Sequence, residues 1–297
     1  MRTRFRPDRQ LIVRMGVTMF LLGLLYVAFA AVLIVLLKSF VLIVVILGGL
    51  LVAQYWFSDK IAFAALHGHL VTEAEFPDLH ATVDRLCATA NLPKPRVAVA
   101  DLDMPNAFAT GRDARHAVVC VSSGLMSRLD EQELEGVLAH ELAHVAHRDV
   151  AVITIASFLG VLAGLLIRVA LYSQLFGGRR RNQNMLAVMA AVMVVSAVVY
   201  AISFLLIRAL SRYRELAADR DGALLTGHPS ALASALIKIS GDVARIPTKD
   251  LRSAQAFNAF FFSPDGGSHS ALFSTHPSLQ RRLNELEKIA AQLDSLV

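Results

Sequence analysis

The sequence predicts an integral membrane protein that is mainly α-helical with a small β-sheet. Apolar residues make up 55% of the 297 residues, charged residues make up only 18%, and the mean hydropathy is +0.54, values typical of membrane proteins. The chain also contains four long apolar stretches, separated by segments of ordinary soluble composition. We therefore expect an α+β domain built from two soluble segments and joined to four transmembrane helices.

The first predicted domain, residues 1–57, is a transmembrane hairpin. Residues 15–37 carry no charge and are long enough to cross a bilayer as a helix. A second apolar run, residues 40–57, follows directly after Lys38 and Ser39. A cleaved signal peptide is the competing interpretation, but we reject it because the apolar run continues beyond the cleavage-like site at 28–30.

The second predicted domain, residues 58–149, is soluble in character. Apolar residues at helical spacing predict a helix over 77–92, and β-branched runs predict strands over 96–100 and 116–122. The stretch 106–111 between the strands is too irregular to assign. Asp130, followed by acidic residues, is the predicted N-cap of a helix that carries the motif HELAH and continues into the next apolar stretch.

The third predicted domain, residues 150–207, is a second transmembrane hairpin. Its apolar runs, 150–176 and 185–207, are separated by a polar turn that contains three consecutive arginines at 179–181. The fourth predicted domain, residues 208–297, is soluble in character again. It ends in an amphipathic helix whose apolar stripe predicts packing onto a core; the stripe consists of Leu279, Leu283, Leu286, Leu293 and Leu296.

The motif HELAH places two histidines and a glutamate at the spacing of a helical zinc site. His144 lies about 40° around the helix from His140 and one turn along it, so both imidazoles can reach one metal ion. Glu141 lies about 60° from His144, beside the metal, where a general base for the attacking water is needed. The structural alternative is a histidine pair on an amphipathic helix without a metal.

A catalytic zinc usually takes three protein ligands, so HELAH needs a partner. His147 is too far along the helix axis from His140 to share the metal, and we interpret it as a helix-end or interface residue. The better candidate is Glu215, with Asp219 one turn later as the acceptor of a hydrogen bond from a ligating imidazole. A solvated carboxylate pair among arginines is the alternative interpretation.

The metal site constrains the membrane topology. His140 and Glu215 must lie on the same side to share a zinc ion, so the chain between them crosses the bilayer an even number of times. Lysine and arginine near the membrane favour the cytoplasm for that side: Arg2, Arg4, Arg6, Arg9, Lys60, Arg148, Arg212 and Arg214. The arginines at 179–181 oppose this assignment, and they leave open that the second hairpin does not fully cross.

Composition excludes several other classes of function. The net charge of +5 is small for this length, the arginines lie beside apolar runs, and we find no nucleic-acid-binding motif. Cys87 and Cys120 belong to no CxxC pair, so we expect free, buried thiols in a reducing compartment. No feature of the sequence predicts a particular oligomeric state.

Several segments resemble the membrane-integral zinc peptidases of the HtpX type, relatives of the type I CAAX prenyl proteases. The resemblance covers nearly the whole chain, with small departures at His147 and in a loop at 266–267. Its motifs are NAFATG at 106–111, SGLM at 123–126, HELAHVAHRD at 140–149, ELAADRDGA at 215–223 and STHP at 274–277, followed by Arg282.

The resemblance implies a zincin-like catalytic domain with one Zn²⁺ per chain. His140, His144 and Glu215 would be its ligands, Glu141 the general base, and Asp219 the hydrogen-bond partner of His140. His276 would donate to the oxyanion, although a helix-cap role ahead of Pro277 is the alternative, and Arg282 would either brace the site or make a simple ion pair. The edge strand that receives the substrate backbone would comprise Asn106, Ala107 and Phe108, unless that segment is a buried turn.

The resemblance also implies a function and a place in the cell. The expected function is ATP-independent endoproteolysis of misfolded or damaged membrane proteins at the cytoplasmic face of the bacterial inner membrane, as part of quality control under stress. The expected partners are polypeptide substrates and the lipid bilayer. A membrane-anchored zinc scaffold, a processing protease for lipidated proteins and a zinc transporter are the competing hypotheses.

Overall fold

The computed structural model describes residues 9–37, 68–111, 113–176, 183–243 and 276–295, together with the single positions 45, 48–50, 52 and 56. Most of the predicted second span, 40–57, and the arginines at 179–181 lie outside the described residues. The elements in chain order are α1 Arg9–Leu37, β1 Gly68–Leu70, α2 Pro77–Ala90, β2 Arg96–Ala100, β3 Ala107–Thr110, β4 Val118–Ser122, α3 Ser123–Met126, α4 Glu131–Ala146, α5 Asp149–Phe176, α6 Gln183–Thr226, α7 Pro229–Val243 and α8 Leu279–Asp294.

The chain forms two compact units. One comprises the segments Met1–Ile12, Ser58–Ala151 and Ser211–Val297, and the other comprises Val13–Phe57 and Val152–Leu210. The first unit contains the sheet, α4 and every predicted site residue. Its two main segments are separated in sequence by the apolar runs of the second unit.

A four-stranded sheet in the order β1-β2-β4-β3 forms one side of the first unit. β2 and β4 are parallel, and β1 and β3 are antiparallel to their neighbours. The predicted strand over 96–100 is confirmed, whereas the second strand begins at Val118 rather than at 116. The unassigned stretch 106–111 contains β3, which is an edge strand of the sheet.

One face of the sheet packs against helices α2 and α4 to form the main core. Alternate strand residues supply this face, among them Val97, Val99, Ala107, Val119 and Val121. The other face carries a smaller cluster around Phe108 and Cys120. Both cysteines are buried free thiols, as the sequence predicts.

Helix α4 begins with the capping interaction that the sequence predicts. The Asp130 side chain accepts a hydrogen bond from the Glu133 backbone N–H, and the Glu133 carboxylate accepts one from the Asp130 N–H. Glu133 also accepts hydrogen bonds from Ser234 at 2.6 Å and Lys238 at 2.6 Å, both on α7. The start of α4 is therefore tied to α7.

The prediction that this helix continues into the third apolar stretch is wrong. Helix α4 ends at Ala146, and Arg148 adopts a left-handed conformation with φ 54° before α5 starts at Asp149. His147, Arg148 and Asp149 interrupt the apolar pattern here, but none of them is a glycine or proline that would predict the end of a helix. The helix therefore ends at a point where the sequence carries no strong stop signal.

Two helices among the described residues are long and apolar enough to cross a membrane, over Ile12–Leu36 and Leu186–Thr226. Helix α5 contains a shorter apolar section, Ala156–Arg168. The 41 residues of the second candidate would extend about 61 Å, roughly twice the hydrocarbon thickness of a bilayer. The uncharged section of this helix, up to residue 207, is long enough by itself to cross a bilayer.

Candidate metal centre

Three predicted ligands lie together in the first unit. The Nε2 atoms of His140 and His144 are 3.1 Å apart. Glu215 Oε2 lies 3.7 Å from His140 Nε2, and Glu215 Oε1 lies 3.5 Å from His144 Nε2. Each residue offers one ligand atom to a group whose members all lie within 4.8 Å of one another.

The chemistry of this group fits a tetrahedral zinc ion. With bonds of about 2.1 Å, ligand atoms in a tetrahedral site lie about 3.4 Å apart, close to the separations found here. Both histidines have Nδ1 beside a carboxylate, which assigns the proton to Nδ1 and leaves the Nε2 lone pairs facing each other. Two converging lone pairs beside a buried carboxylate form a site for a cation.

Asp219 and Arg282 hold the imidazole of His140. His140 Nδ1 lies 2.9 Å from Asp219 Oδ1, and Arg282 donates two hydrogen bonds to the Asp219 carboxylate, at 2.6 and 2.7 Å. Burial alone would raise the pKa of Asp219, but the guanidinium of Arg282 holds it below its usual range. Arg282 therefore makes an ion pair with Asp219 and braces the site through it. Both roles that the sequence left open for Arg282 apply together.

A matching arrangement holds His144, and the sequence analysis did not assign it. His144 Nδ1 lies 2.5 Å from Asp149 Oδ2, and Arg214 Nη2 lies 2.8 Å from the same oxygen. Burial alone would raise the pKa of Asp149, but Arg214 and the hydrogen bond with His144 lower it. Two signals were available: Asp149 is the last residue of the segment HELAHVAHRD, and Arg214 directly precedes Glu215.

Glu141 is buried beside the ligands, with 4% of its surface exposed. Burial raises the pKa of Glu141 to about 7, in the range suited to a general base at neutral pH. The backbone N–H of Ala109 on β3 donates a hydrogen bond to this carboxylate. Glu141 therefore lies between the metal group and the edge strand.

His276 lies on the other side of Glu215. Its Nδ1 atom is 3.0 Å from Glu215 Oε2, and the side chain is buried. It comes two residues before Ser278, the N-cap of α8, whose side chain makes no capping hydrogen bond. The structure thus places His276 against a predicted ligand.

The predicted substrate-binding segment lies at the edge strand of the sheet, and its three residues are buried. The Ser122 N–H donates to the Asn106 carbonyl at 2.9 Å, so Asn106 and then every second residue face β4. By the same alternation, the backbone groups of Phe108 face β4, whereas those of Ala107 and Ala109 face away from the sheet. The hydrogen bond from the Ala109 N–H to the Glu141 carboxylate agrees with this register.

His147 takes no part in the metal group. It is the C-cap of α4, and its Nε2 atom pairs with Asp221 Oδ2 at 2.9 Å. The interpretation of His147 as a helix-end residue is confirmed.

Comparison with known proteins identifies the family of this chain. The model of peptidase family M48 matches residues 73–290, which include every residue of the site described above. The chain belongs to peptidase family M48. As an M48 enzyme it is a metallopeptidase, and the resemblance seen in the sequence is confirmed.

Curated relatives of this M48 chain match along nearly its whole length. "Protease HtpX homolog 1" of Streptomyces coelicolor is 67% identical over 296 residues, covering 99% of this chain and 97% of the relative. "Protease HtpX homolog" of Moorella thermoacetica is 50% identical over 301 residues, covering 99% of both chains. The crystal structure of S. mikatae Ste24p shares the fold, with a TM-score of 0.53 at 18% identity over 94% of this chain and 67% of that one.

Proposed function

We propose that this M48 enzyme is a zinc-dependent endopeptidase of the cytoplasmic membrane that cleaves misfolded or damaged membrane proteins at their cytoplasmic side. The observation that carries the proposal is the group formed by His140, His144 and Glu215, with the buried carboxylate of Glu141 beside it. One zinc ion per chain is the expected cofactor. The two imidazoles and the carboxylate supply three ligands and leave a position open, as catalytic zinc sites do.

The residues around the metal have separate parts in peptide hydrolysis. His140, His144 and Glu215 would hold the zinc ion, which would supply a Lewis acid for activating water and polarising the scissile carbonyl. Glu141 accepts a proton from the attacking water and passes it to the leaving amine, a task for which a pKa of about 7 is suited. His276 donates a hydrogen bond to the developing oxyanion.

The substrate is proposed to bind as an added strand along β3. The segment of Asn106, Ala107 and Phe108 would form this site. Asn106 and Phe108 pair with β4, while the backbone groups of Ala107 face away from β4. Pairing through main-chain groups accepts many sequences, which suits an enzyme that removes damaged proteins. The N–H of Ala109, which faces the same way as that of Ala107, donates a hydrogen bond to Glu141.

The proposed membrane topology uses the four domains that the sequence predicts. Residues 1–57 and 150–207 are proposed as two transmembrane hairpins, and residues 58–149 and 208–297 as the two parts of a catalytic domain in the cytoplasm. The two apolar helices over Ile12–Leu36 and Leu186–Thr226 support this proposal. Labelling of a cysteine introduced at Asn184 in intact cells supports full crossing of the second hairpin, whereas labelling only after lysis contradicts it.

A structural zinc scaffold is the main alternative from another class. Structural zinc sites are usually closed by four Cys or His ligands, whereas the group among the described residues contains three ligands with a buried carboxylate beside them. A processing protease for lipidated proteins would use the same chemistry on a different substrate. The membrane-protein substrate is favoured because strand addition along β3 would bind polypeptide backbone rather than a lipid group.

The central test compares purified wild-type enzyme with Glu141→Gln. The variant should keep about one zinc per chain and lose cleavage of an unfolded polypeptide by several orders of magnitude, because the base is absent while the ligands remain. Glu135→Gln is the matched control, since Glu135 lies on the same helix and pairs with Arg85 at the surface. Cleavage by Glu141→Gln at the wild-type rate would refute the mechanism.

A further inference from the structure

The contact between His144 and Asp149 depends on the break between α4 and α5. On a continuous helix, residue 149 would lie about 140° around the axis from residue 144 and about 7.5 Å along it, out of reach of the imidazole. In the structure the His147 N–H bonds the Ala143 carbonyl, the Arg148 N–H bonds the Val145 carbonyl, and Arg148 turns the chain with φ 54°. Asp149 then lies 2.5 Å from His144 Nδ1.

Two features keep Asp149 charged, and its burial keeps it in place. It is the acidic residue in the first turn of α5, where the helix dipole favours a negative charge. Arg214 lies 2.8 Å from the oxygen that also faces His144. Asp149 is 2% exposed and Arg214 is 8% exposed, so water does not replace either partner.

The two ligating histidines thus have equivalent surroundings built from different parts of the chain. His140 lies against Asp219, which is held by Arg282 from α8. His144 lies against Asp149, which is held by Arg214 from α6. Arg214 directly precedes Glu215, so one turn of α6 supplies both the third ligand and the arginine that fixes the partner of the second ligand.

We propose that Asp149 and Arg214 are positioning residues, which hold His144 in the tautomer and orientation that present Nε2 to the zinc ion. The proposal rests on the zinc site of the proposed function and extends it to two residues outside the ligand set. Asp149 accepts a hydrogen bond from Nδ1–H of His144, and Arg214 acts on the histidine only through Asp149. Carboxylates in such positions raise the metal affinity of the histidines they contact.

The test measures zinc affinity of the purified full-length chain by competition with a chelating dye, and the absorption spectrum of the Co²⁺-substituted protein. Asp149→Asn and Arg214→Gln should each lower zinc affinity by about 10- to 100-fold and change the Co²⁺ spectrum. The double variant should lose no more affinity than Asp149→Asn alone, because Arg214 acts through Asp149. Arg214→Lys should recover most of the loss.

Asp221→Asn is the matched control. Asp221 is also a buried aspartate, 2.9 Å from a histidine, but its partner His147 is not a metal ligand. This variant should keep zinc affinity within about threefold of wild type, even if the metal-free protein unfolds at a lower temperature. The double variant of Asp149 and Arg214 removes both charges of the pair, so it carries the test if one single variant does not fold.

The outcomes separate this inference from the proposed function. If Asp149→Asn has the zinc affinity and Co²⁺ spectrum of Asp221→Asn, the positioning role is refuted while the zinc site stands. If the wild-type chain itself fails to bind one zinc ion, the proposed function fails together with the inference. Additive losses in the double variant would also contradict the inference, because they would show that Arg214 acts independently of Asp149.

Discussion

Gly222 on α6 lies directly against the backbone of His140 on α4. A Cβ atom at position 222 would be 2.9 Å from the His140 amide nitrogen and 3.1 Å from its Cα atom, closer than side chains and backbone normally approach. Both contacts are with backbone, which cannot move aside as a flexible side chain can. The absence of a side chain at Gly222 therefore sets how closely the helix of Glu215 and Asp219 approaches the helix of HELAH.

Gly222→Ala should separate these two helices and weaken the metal site. We expect a loss of about 1–3 kcal/mol in the free energy of unfolding, the usual cost of overpacking, together with lower zinc affinity. Thermal unfolding and chelator competition measure the two effects. Gly241→Ala on α7 is the control, because no described atom lies within 4 Å of a Cβ atom there, and it should be neutral or slightly stabilising.

His276→Ala separates two roles of that histidine. If His276 stabilises the oxyanion, kcat should fall by about 10²- to 10³-fold while the zinc content stays near one per chain. Its distance of 3.0 Å from Glu215 allows a second role, the orientation of the ligand. Zinc loss in parallel with activity would assign the second role, so metal content must be measured on the same samples as kcat.

Ala107→Pro should raise KM with little effect on the metal. The N–H of Ala107 faces away from the sheet, so proline removes a donor for the substrate strand without removing a hydrogen bond to β4. The control is Phe108→Pro, which removes a hydrogen bond between β3 and β4 and should lower the unfolding temperature. An unchanged KM for folded Ala107→Pro would argue against strand addition at this edge.

Glu133→Gln should destabilise the protein in a pH-dependent way. Burial alone would raise the pKa of Glu133, but hydrogen bonds from Lys238, Ser234 and the Asp130 N–H lower it. A lowered pKa in the folded state contributes stability above the unfolded pKa of about 4.3, and this stability is lost as the pH falls through the folded value.

The difference in unfolding temperature between wild type and Glu133→Gln should therefore be large at pH 7 and narrow below about pH 4. Glu131→Gln, at an exposed position on the same helical turn, should behave like wild type across this range. An equal difference at pH 7 and pH 3.5 would show that the effect comes from packing rather than from the charge.

Local geometry explains why much of the site could be predicted. His140 and His144 lie on one regular helix, so their spacing in sequence determines their spacing in space. Glu215 came from the same reasoning about residues one turn apart, combined with the need for a third ligand. Arg282 and His276 came only from the family resemblance, since no periodicity connects them to HELAH.

The missed features depend on irregular backbone and on tertiary contacts. Asp149 reaches His144 only because Arg148 is left-handed, and an arginine gives no sequence signal for that conformation. Strand β3 has four residues and almost no alternation of polarity, so its place at the sheet edge becomes visible only through its pairing with β4. Two candidate membrane helices are found where four spans were predicted, with most of the second span outside the described residues.

The division of the metal group between two distant parts of the chain affects its synthesis. A nascent chain that has reached residue 149 carries His140, His144 and Asp149, but it lacks Glu215 and the arginine at 214. Asp219 lacks its partner Arg282 until a further 63 residues have been synthesised. The complete group cannot assemble until Arg282 has been synthesised, so an unfinished chain does not carry the complete metal site.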